Sequence, residues 1–182
     1  MTSEFYKEKI LSLIKSDSQR MDALTSLRTL NLPDCYIAAG FVRNLIWDYL
    51  FSVKSSLNDI DVIYFCPRDI SEQRDKKLEE QLSEIEPSLP WSVKNQARMH
   101  IKNGDRPYKN SLDAMSYWPE KQTCIGVRLN HNDELILAHC FSLSEQFNGK
   151  ITFNPKRNIQ VFRNRISRKT WLKTWPDLVI ED

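Results

Sequence analysis

Apolar positions at the start of the chain recur with helical spacing. Tyr6, Ile10, Leu13 and Ile14 form one stripe; after a break at Asp17-Ser18, Met21, Leu24, Leu27 and Leu30 continue the period. This predicts a helical N-terminal extension over residues 1–31. Asn31-Leu32-Pro33-Asp34 then punctuates the chain, and residues 32–182 are expected to form one compact unit. Cys35 to Ala39 is a short apolar run that reads as a buried strand ended by Gly40, and residues 41–51 read as a helix. Residues 59–66, DIDVIYFC, are rich in β-branched and aromatic side chains and predict a second strand, stopped by Pro67. Asp69 with Glu72 resembles a capping box opening a helix that runs to about Glu86 and puts Leu78, Leu82 and Ile85 on one face.

Beyond Pro87 and Pro90, residues 91–101 alternate and predict one long strand. Val93, Asn95, Ala97 and Met99 fall on one side, and Lys94, Gln96, Arg98 and His100 on the other. A short helix near Asp113, a hairpin over 121–140, a strand at 150–153 and a helix over about 158–173 complete the pattern. His139, in the second hairpin strand, is expected to be a core residue. Strands and helices alternate and one strand pair is antiparallel. The expected class is therefore α/β (α+β): a mixed β-sheet flanked by helices.

Composition narrows the function classes. With 41% hydrophobic and 27% charged residues in 182, the chain has the make-up of a globular domain with a real core. No run approaches the roughly 18 apolar residues of a membrane span, and the first residues lack the apolar centre of a signal peptide. Cys35, Cys66, Cys124 and Cys140 form no CxxC and no zinc spacing. Reduced, buried thiols and a cytoplasmic location are the expectation, with no membrane partner.

The candidate chemistry lies between Ala39 and Phe65. A strand ends in Gly40 and turns directly into a helix, whose free N–H groups favour phosphate; glycine allows close approach. Arg43, in the first helical turn, carries a guanidinium suited to phosphate oxygens. Asp59 and Asp61 share strand parity, so both carboxylates face one side. Two adjacent carboxylates repel one another, and a divalent cation with a preference for hard oxygen ligands compensates. No Walker, Rossmann or GxSxG motif competes.

This segment, AGFVRNLIWDYL followed by NDIDVIYF, resembles the polymerase-beta-like nucleotidyltransferase superfamily. The Gly40-Phe41-Val42-Arg43-Asn44 stretch looks like the GGxVRD element of the poly(A)-polymerase and CCA-adding branch. More of the chain, including VKNQARMH and the basic C-terminal helix, is similar to small bacterial nucleotidyltransferase-family proteins. The resemblance implies metal-dependent transfer of a nucleoside monophosphate from a nucleoside triphosphate to an acceptor hydroxyl, with release of pyrophosphate. Asp59 and Asp61 would be catalytic and hold Mg²⁺ or Mn²⁺. Gly40, Phe41, Arg43, Asn44 and Arg98 would bind the nucleotide. The acceptor is left open between RNA and protein. Two positions depart from the pattern: Phe41 follows Gly40 where the superfamily has Gly or Ser, and residues 91–100 carry no third carboxylate. Asn95 is the expected occupant of that third position. A catalytically inactive nucleotide-binding module of the same fold is the alternative.

Charge adds one observation. Formal net charge is only +2, yet residues 146–176 hold eight basic residues and no acidic one. The remainder carries 18 basic against 24 acidic residues. Two outcomes are expected of the basic C-terminal helix: its cations pair with the acidic helix over 71–86, or they open onto the cleft of Asp59 and Asp61.

Overall fold

The structure, a computed structural model, describes residues 2–182. Helices α1 (Ser3–Lys15) and α2 (Ser18–Thr29) match the two predicted stripes. Asp17 separates them by accepting from the Arg20 N–H at 2.9 Å as the N-cap of α2. Strand β1 (Tyr36–Ala38) leads through Ala39 into α3 (Gly40–Phe51), then β2 (Ile60–Tyr64) and α4 (Glu72–Ile85). Ser71, not Asp69, is the α4 N-cap: its hydroxyl accepts from the Arg74 N–H, and Asp69 instead accepts from the Ser71 N–H.

Strand β3 (Trp91–Asn95) is half as long as the sequence pattern suggests, because the chain turns at Asn95 into helix α5 (Gln96–Asn103). The Asn95 side chain caps α5 by accepting from the Ala97 N–H at 3.1 Å. Residues 96–103 alternate in polarity, but they also carry a helical stripe, and the cap decides between the two periods. Helix α6 (Ser111–Met115), strands β4 (Ile125–Leu129) and β5 (Leu135–His139), strand β6 (Lys150–Thr152), helices α7 (Ile159–Arg168) and α8 (Trp171–Thr174) and strand β7 (Val179–Glu181) follow.

The main sheet has the order β3-β2-β1-β4-β5. β1 pairs antiparallel with β2 and β4, β4 antiparallel with β5, and β2 parallel with β3. The expected mixed sheet with flanking helices is therefore the observed fold. One face is the core. Ile37, Ile60, Val62, Tyr64, Val93 and Val127 pack there against Ile10, Ile14, Leu24, Phe41, Ile46 and Leu82 from the helices. A second cluster joins Trp47 of α3 to Ile151, Phe162, Trp171, Trp175 and Leu178, and so fixes the C-terminal layer beside the sheet. β6 and β7 form a small parallel pair in that layer. His139 is exposed on the outer strand rather than in the core; its Nδ1 lies 2.9 Å from the Phe141 carbonyl. It sits at the sheet edge, where no helix covers it.

Candidate active site

The other face of the sheet carries Asp61, and around it the structure builds a cleft of about 1010 Å³. The parity of β2 decides which side chains arrive. Ile60, Val62 and Tyr64 are buried below, and Asp61 and Ile63 face the cleft. Ala38 lies beside Asp61 on β1, and Ser92 beside it on β3. Asp59, just before β2, is exposed and lines the same cleft, so the two acids are brought together.

Neither carboxylate accepts a hydrogen bond or an ion pair from any described residue. Burial, and then the neighbouring Asp59, push the Asp61 carboxyl up to about 6 from an ordinary 3.8. A lone pair of hard anionic oxygens held together without donors suits Mg²⁺ or Mn²⁺, which retain waters and take further oxygens from substrate phosphates. Among the described residues, no third His, Cys, Asp or Glu joins the pair.

Ala39 creates the adjoining turn. Its backbone adopts φ 57°, ψ −121°, a left-handed conformation that glycine tolerates and alanine strains to reach. Its N–H donates to the Ile125 carbonyl at 2.9 Å; its own carbonyl accepts from the Val42 and Arg43 N–H groups. This leaves the Gly40 and Phe41 N–H groups as the free donors at the α3 N-terminus, on the Asp59 side of the pair. A Cβ on Gly40 would come within 3.3 Å of Asn44 Nδ2 and 3.4 Å of Arg43 Nη2. Phe41, expected among the nucleotide-binding residues, does not line the cleft: its ring is fully buried in the core, and the strained position is Ala39 instead. Arg20 holds this arrangement from α2 by donating from Nε to the Phe41 carbonyl at 2.7 Å.

Arg43 lines the cleft but is spent on structure. It is 5% exposed, and burial lowers its pKa to about 10, with Glu120 acting the other way. Its Nη1 donates to Thr123 Oγ1 at 3.0 Å; Nε and Nη2 donate to Asn44 Oδ1 at 3.2 and 2.8 Å. The guanidinium also lies 4.8 Å from the Trp47 ring centre and 4.5 Å from that of Trp171. Thr123 passes the contact on by donating to Glu120 Oε2 at 2.9 Å, and the fully buried Glu120 accepts from Arg165 Nε at 2.6 Å. This network ties α3, the turn at 121–123 and α7 around the cleft. Its members Thr123 and Glu120 carry no sequence motif.

Two more expected site residues lie elsewhere. Arg98, on α5 rather than a strand, pairs with Asp75 at 2.5 Å and donates to the Ile70 carbonyl; it does not line the cleft. Asn95 does not stand in for a third acid. It is fully buried, accepts from the Cys66 N–H and donates to the Cys66 and Asp69 carbonyls at 2.8 and 2.9 Å. The face of β3 that meets Asp61 carries Ser92 and Lys94.

The basic C-terminal segment does open onto the cleft. Arg157, Arg165 and Lys169 line it, together with Arg43, Lys94 and Lys102, so six cations stand against two carboxylates. None pairs with α4. Arg157 pairs with Asp105 at 2.8 Å and Arg165 with Glu120, while Arg163 turns outward to Asp182. Lys94, Lys102 and Lys169 take part in no ion pair among the described residues.

Comparisons with known proteins agree with this fold. A family profile described as nucleotidyltransferase matches residues 25–180. A solved structure reported to reveal a CCA-adding enzyme head domain is 34% identical, with a TM-score of 0.84 over 96% of this chain and 95% of that one. A CCA-adding enzyme in its apo form shares the fold at 17% identity and a TM-score of 0.57; another, in complex with CTP, does so at 15% and 0.57. This chain spans under half the length of those two enzymes: 42% and 43%. No curated protein matches the chain. From the extent of the profile match and the head-domain likeness, the chain belongs to the nucleotidyltransferase family.

Proposed function

We propose that the protein transfers a nucleoside monophosphate from a nucleoside triphosphate to an acceptor hydroxyl, releasing pyrophosphate. The observation that carries this reading is the Asp59–Asp61 pair. Two carboxylates without donors share a cleft with a helix N-terminus and unpaired lysines. Asp59 and Asp61 are the residues to hold a divalent cation, which when bound would neutralise phosphate charge and polarise the reacting phosphoryl group. Gly40 and the α3 N-terminus seat the terminal phosphates through main-chain N–H groups. Lys169, at the end of α7, adds positive charge beside the carboxylates. Arg43 contributes by holding α3, Asn44 and Trp171 in register rather than by leaving its core contacts.

Ser92 and Lys94, not a third carboxylate, occupy the face of β3 beside Asp61. That favours catalysis by positioning and charge stabilisation over a dedicated acid–base group. It is also the one observation on the side of a binding module without turnover. Solved enzymes of this fold include one described as tRNA-processing and others as CCA-adding, which makes RNA the acceptor to test before protein. No described helix is long and apolar enough to cross a membrane.

The test is pyrophosphate release from each of the four nucleoside triphosphates with Mg²⁺ or Mn²⁺, with and without RNA bearing a free 3′ hydroxyl. Asp59→Asn and Asp61→Asn are expected to lower the rate by about a hundredfold or more while the fold persists. Triphosphate binding without pyrophosphate release under any condition would establish the binding module instead.

A further inference from the structure

Cys35, Cys66 and Cys124 are buried and Cys140 is half-buried; all four are free thiols. Two of them meet. Cys124 lies just before β4 and Cys140 just after β5. The register sets Gly126 against Ala138 and Ile125 against His139, so the next pair outward is Cys124 against Cys140. The Cys140 N–H donates to the Cys124 carbonyl at 3.1 Å, which carries the ladder through that pair. Directly opposed residues of an antiparallel pair send their side chains to the same face. Both thiols therefore stand on the face of Gly126 and Ala138, and they lie in hydrogen-bond contact with one another. Cα atoms at such a position are about 5.5 Å apart. A disulfide spans roughly 4.4–6.8 Å between Cα atoms, so the bond forms without backbone movement.

The two sulfurs are unlike. Cys124 is 1% exposed, and burial raises its pKa well above the ordinary 9.0. Its Sγ donates to the Glu120 carbonyl at 3.3 Å. Cys140 reaches solvent, and its pKa is lowered from 9.0, first by the hydrogen bond with Cys124; burial opposes this and the Lys156 charge adds to it. An accessible thiolate beside a buried thiol is the arrangement of an attacking and a resolving cysteine. The other two cysteines are placed differently. Cys35 belongs to the main core, where burial keeps its thiol protonated. Cys66 accepts from Arg74 Nη1 at 2.8 Å. Cys124 also directly follows Thr123, whose hydroxyl joins Arg43 to Glu120 at the cleft wall.

We propose that Cys124 and Cys140 form a dithiol site that closes reversibly to an intramolecular disulfide, with a small-molecule disulfide as the oxidant. The Cys140 thiolate attacks one sulfur of the oxidant; that S–S bond breaks, one half leaves as a thiolate and the other stays on Cys140. Cys124 then gives its proton to solvent, and its sulfur attacks that of Cys140 and expels the second half as a thiolate. Two protein thiols are oxidised, and one small disulfide is reduced to two thiols. The bond ties the end of β5 to the turn that carries Thr123 and removes the proton that Cys124 donates to the Glu120 carbonyl. The site is independent of the transfer reaction proposed above, since neither sulfur lines the cleft.

The test incubates the full chain with glutathione disulfide, blocks the remaining thiols with N-ethylmaleimide, and measures intact and digested protein by mass spectrometry. The expected product is a single chain that has lost two hydrogens, with the peptides of Cys124 and Cys140 joined; dithiothreitol restores both thiols. In Cys124→Ser the reaction stops after its first step, and glutathione stays on Cys140. In Cys140→Ser, Cys124 takes up glutathione at least about tenfold more slowly than Cys140 does in Cys124→Ser. The joined peptides are read on the parent chain and do not depend on either variant folding. Three results would each overturn the proposal: both thiols free in the parent chain after oxidation, glutathione retained on Cys140 of the parent chain, or a bond to Cys35, Cys66 or a second chain.

Discussion

The two faces of β2 are built from alternate residues of one five-residue strand, yet they obey different rules. Ile60, Val62 and Tyr64 are fully buried under the helices. Asp61 and Ile63 face a cleft that Lys94, Lys102 and Lys169 also line. The buried face gains stability from apolar area, and the carboxylate it meets, Asp75 at the Tyr64 hydroxyl, is paired with Arg98. The open face holds two repelling carboxylates and a strained alanine turn, features that cost stability and are retained where chemistry needs them. The comparison shows where to look for destabilising features in this fold: at the edge where a strand ends and a helix starts, not in the packed layer.

Arg43 sits between the two faces, and its loss should have the largest effect on stability. Arg43→Ala removes three hydrogen bonds and leaves Glu120 facing one cation fewer. It should destabilise the protein by about 3 kcal/mol, a drop of about 6–12 °C in melting temperature. Arg43→Lys should recover little, since an ammonium cannot bridge Thr123 and Asn44 while lying between two indoles. Thermal unfolding of both variants measures this. A loss of nucleotide affinity with unchanged stability would move Arg43 to the phosphate-binding side of the comparison.

Asp61 gives the next largest effect and the opposite sign. Its carboxyl is raised from 3.8 to about 6, so the folded state binds its proton more tightly than the unfolded chain does. That side chain's contribution to stability is therefore full below about pH 4 and declines as pH rises through 6. Asp61→Asn should stabilise the metal-free protein above pH 6, by at most about 3 kcal/mol, and the gain should vanish near pH 4. Denaturant unfolding at pH 4 and pH 7.5 reads the difference. A variant less stable than the parent at pH 7.5 would mean that the carboxylate is satisfied rather than repelled.

The smallest effect belongs to the turn. Ala39→Gly relieves the positive φ and should stabilise by about 1 kcal/mol, or about 2–4 °C, because the strain lost exceeds the extra freedom of the unfolded chain. An unchanged or lower melting temperature would show that the Ala39 methyl group contributes packing that outweighs the strain.

Much of the site was legible along the chain because it depends on local rules. Strand parity placed Asp59 and Asp61 on one side, and the glycine turn marked the α3 N-terminus. The long strand over 91–101 failed because Asn95 forms a cap, and a cap is visible only once its side chain and the Ala97 N–H are in place. With that break, Arg98 rotated off the predicted strand face into a pair with Asp75. Lys94 and Gln96 still line the cleft. Phe41 and Ala39 exchanged importance for a similar reason: which residue bears a positive φ depends on where β4 offers the Ile125 carbonyl.

By itself the sequence determined most of the elements, the carboxylate pair, the glycine turn and the excess of basic residues near the C-terminus, all of which follow from periodicity, parity and composition. Only the tertiary structure decided how the charges are used. Arg165 is committed to Glu120, 45 residues away, and Arg163 to Asp182, while Lys169 from the same segment stays unpaired beside Asp61. The physical reason is that a side chain's electrostatic role is set by burial and by partners distant in sequence. A local pattern specifies which way a side chain leaves the backbone, but not what it meets there.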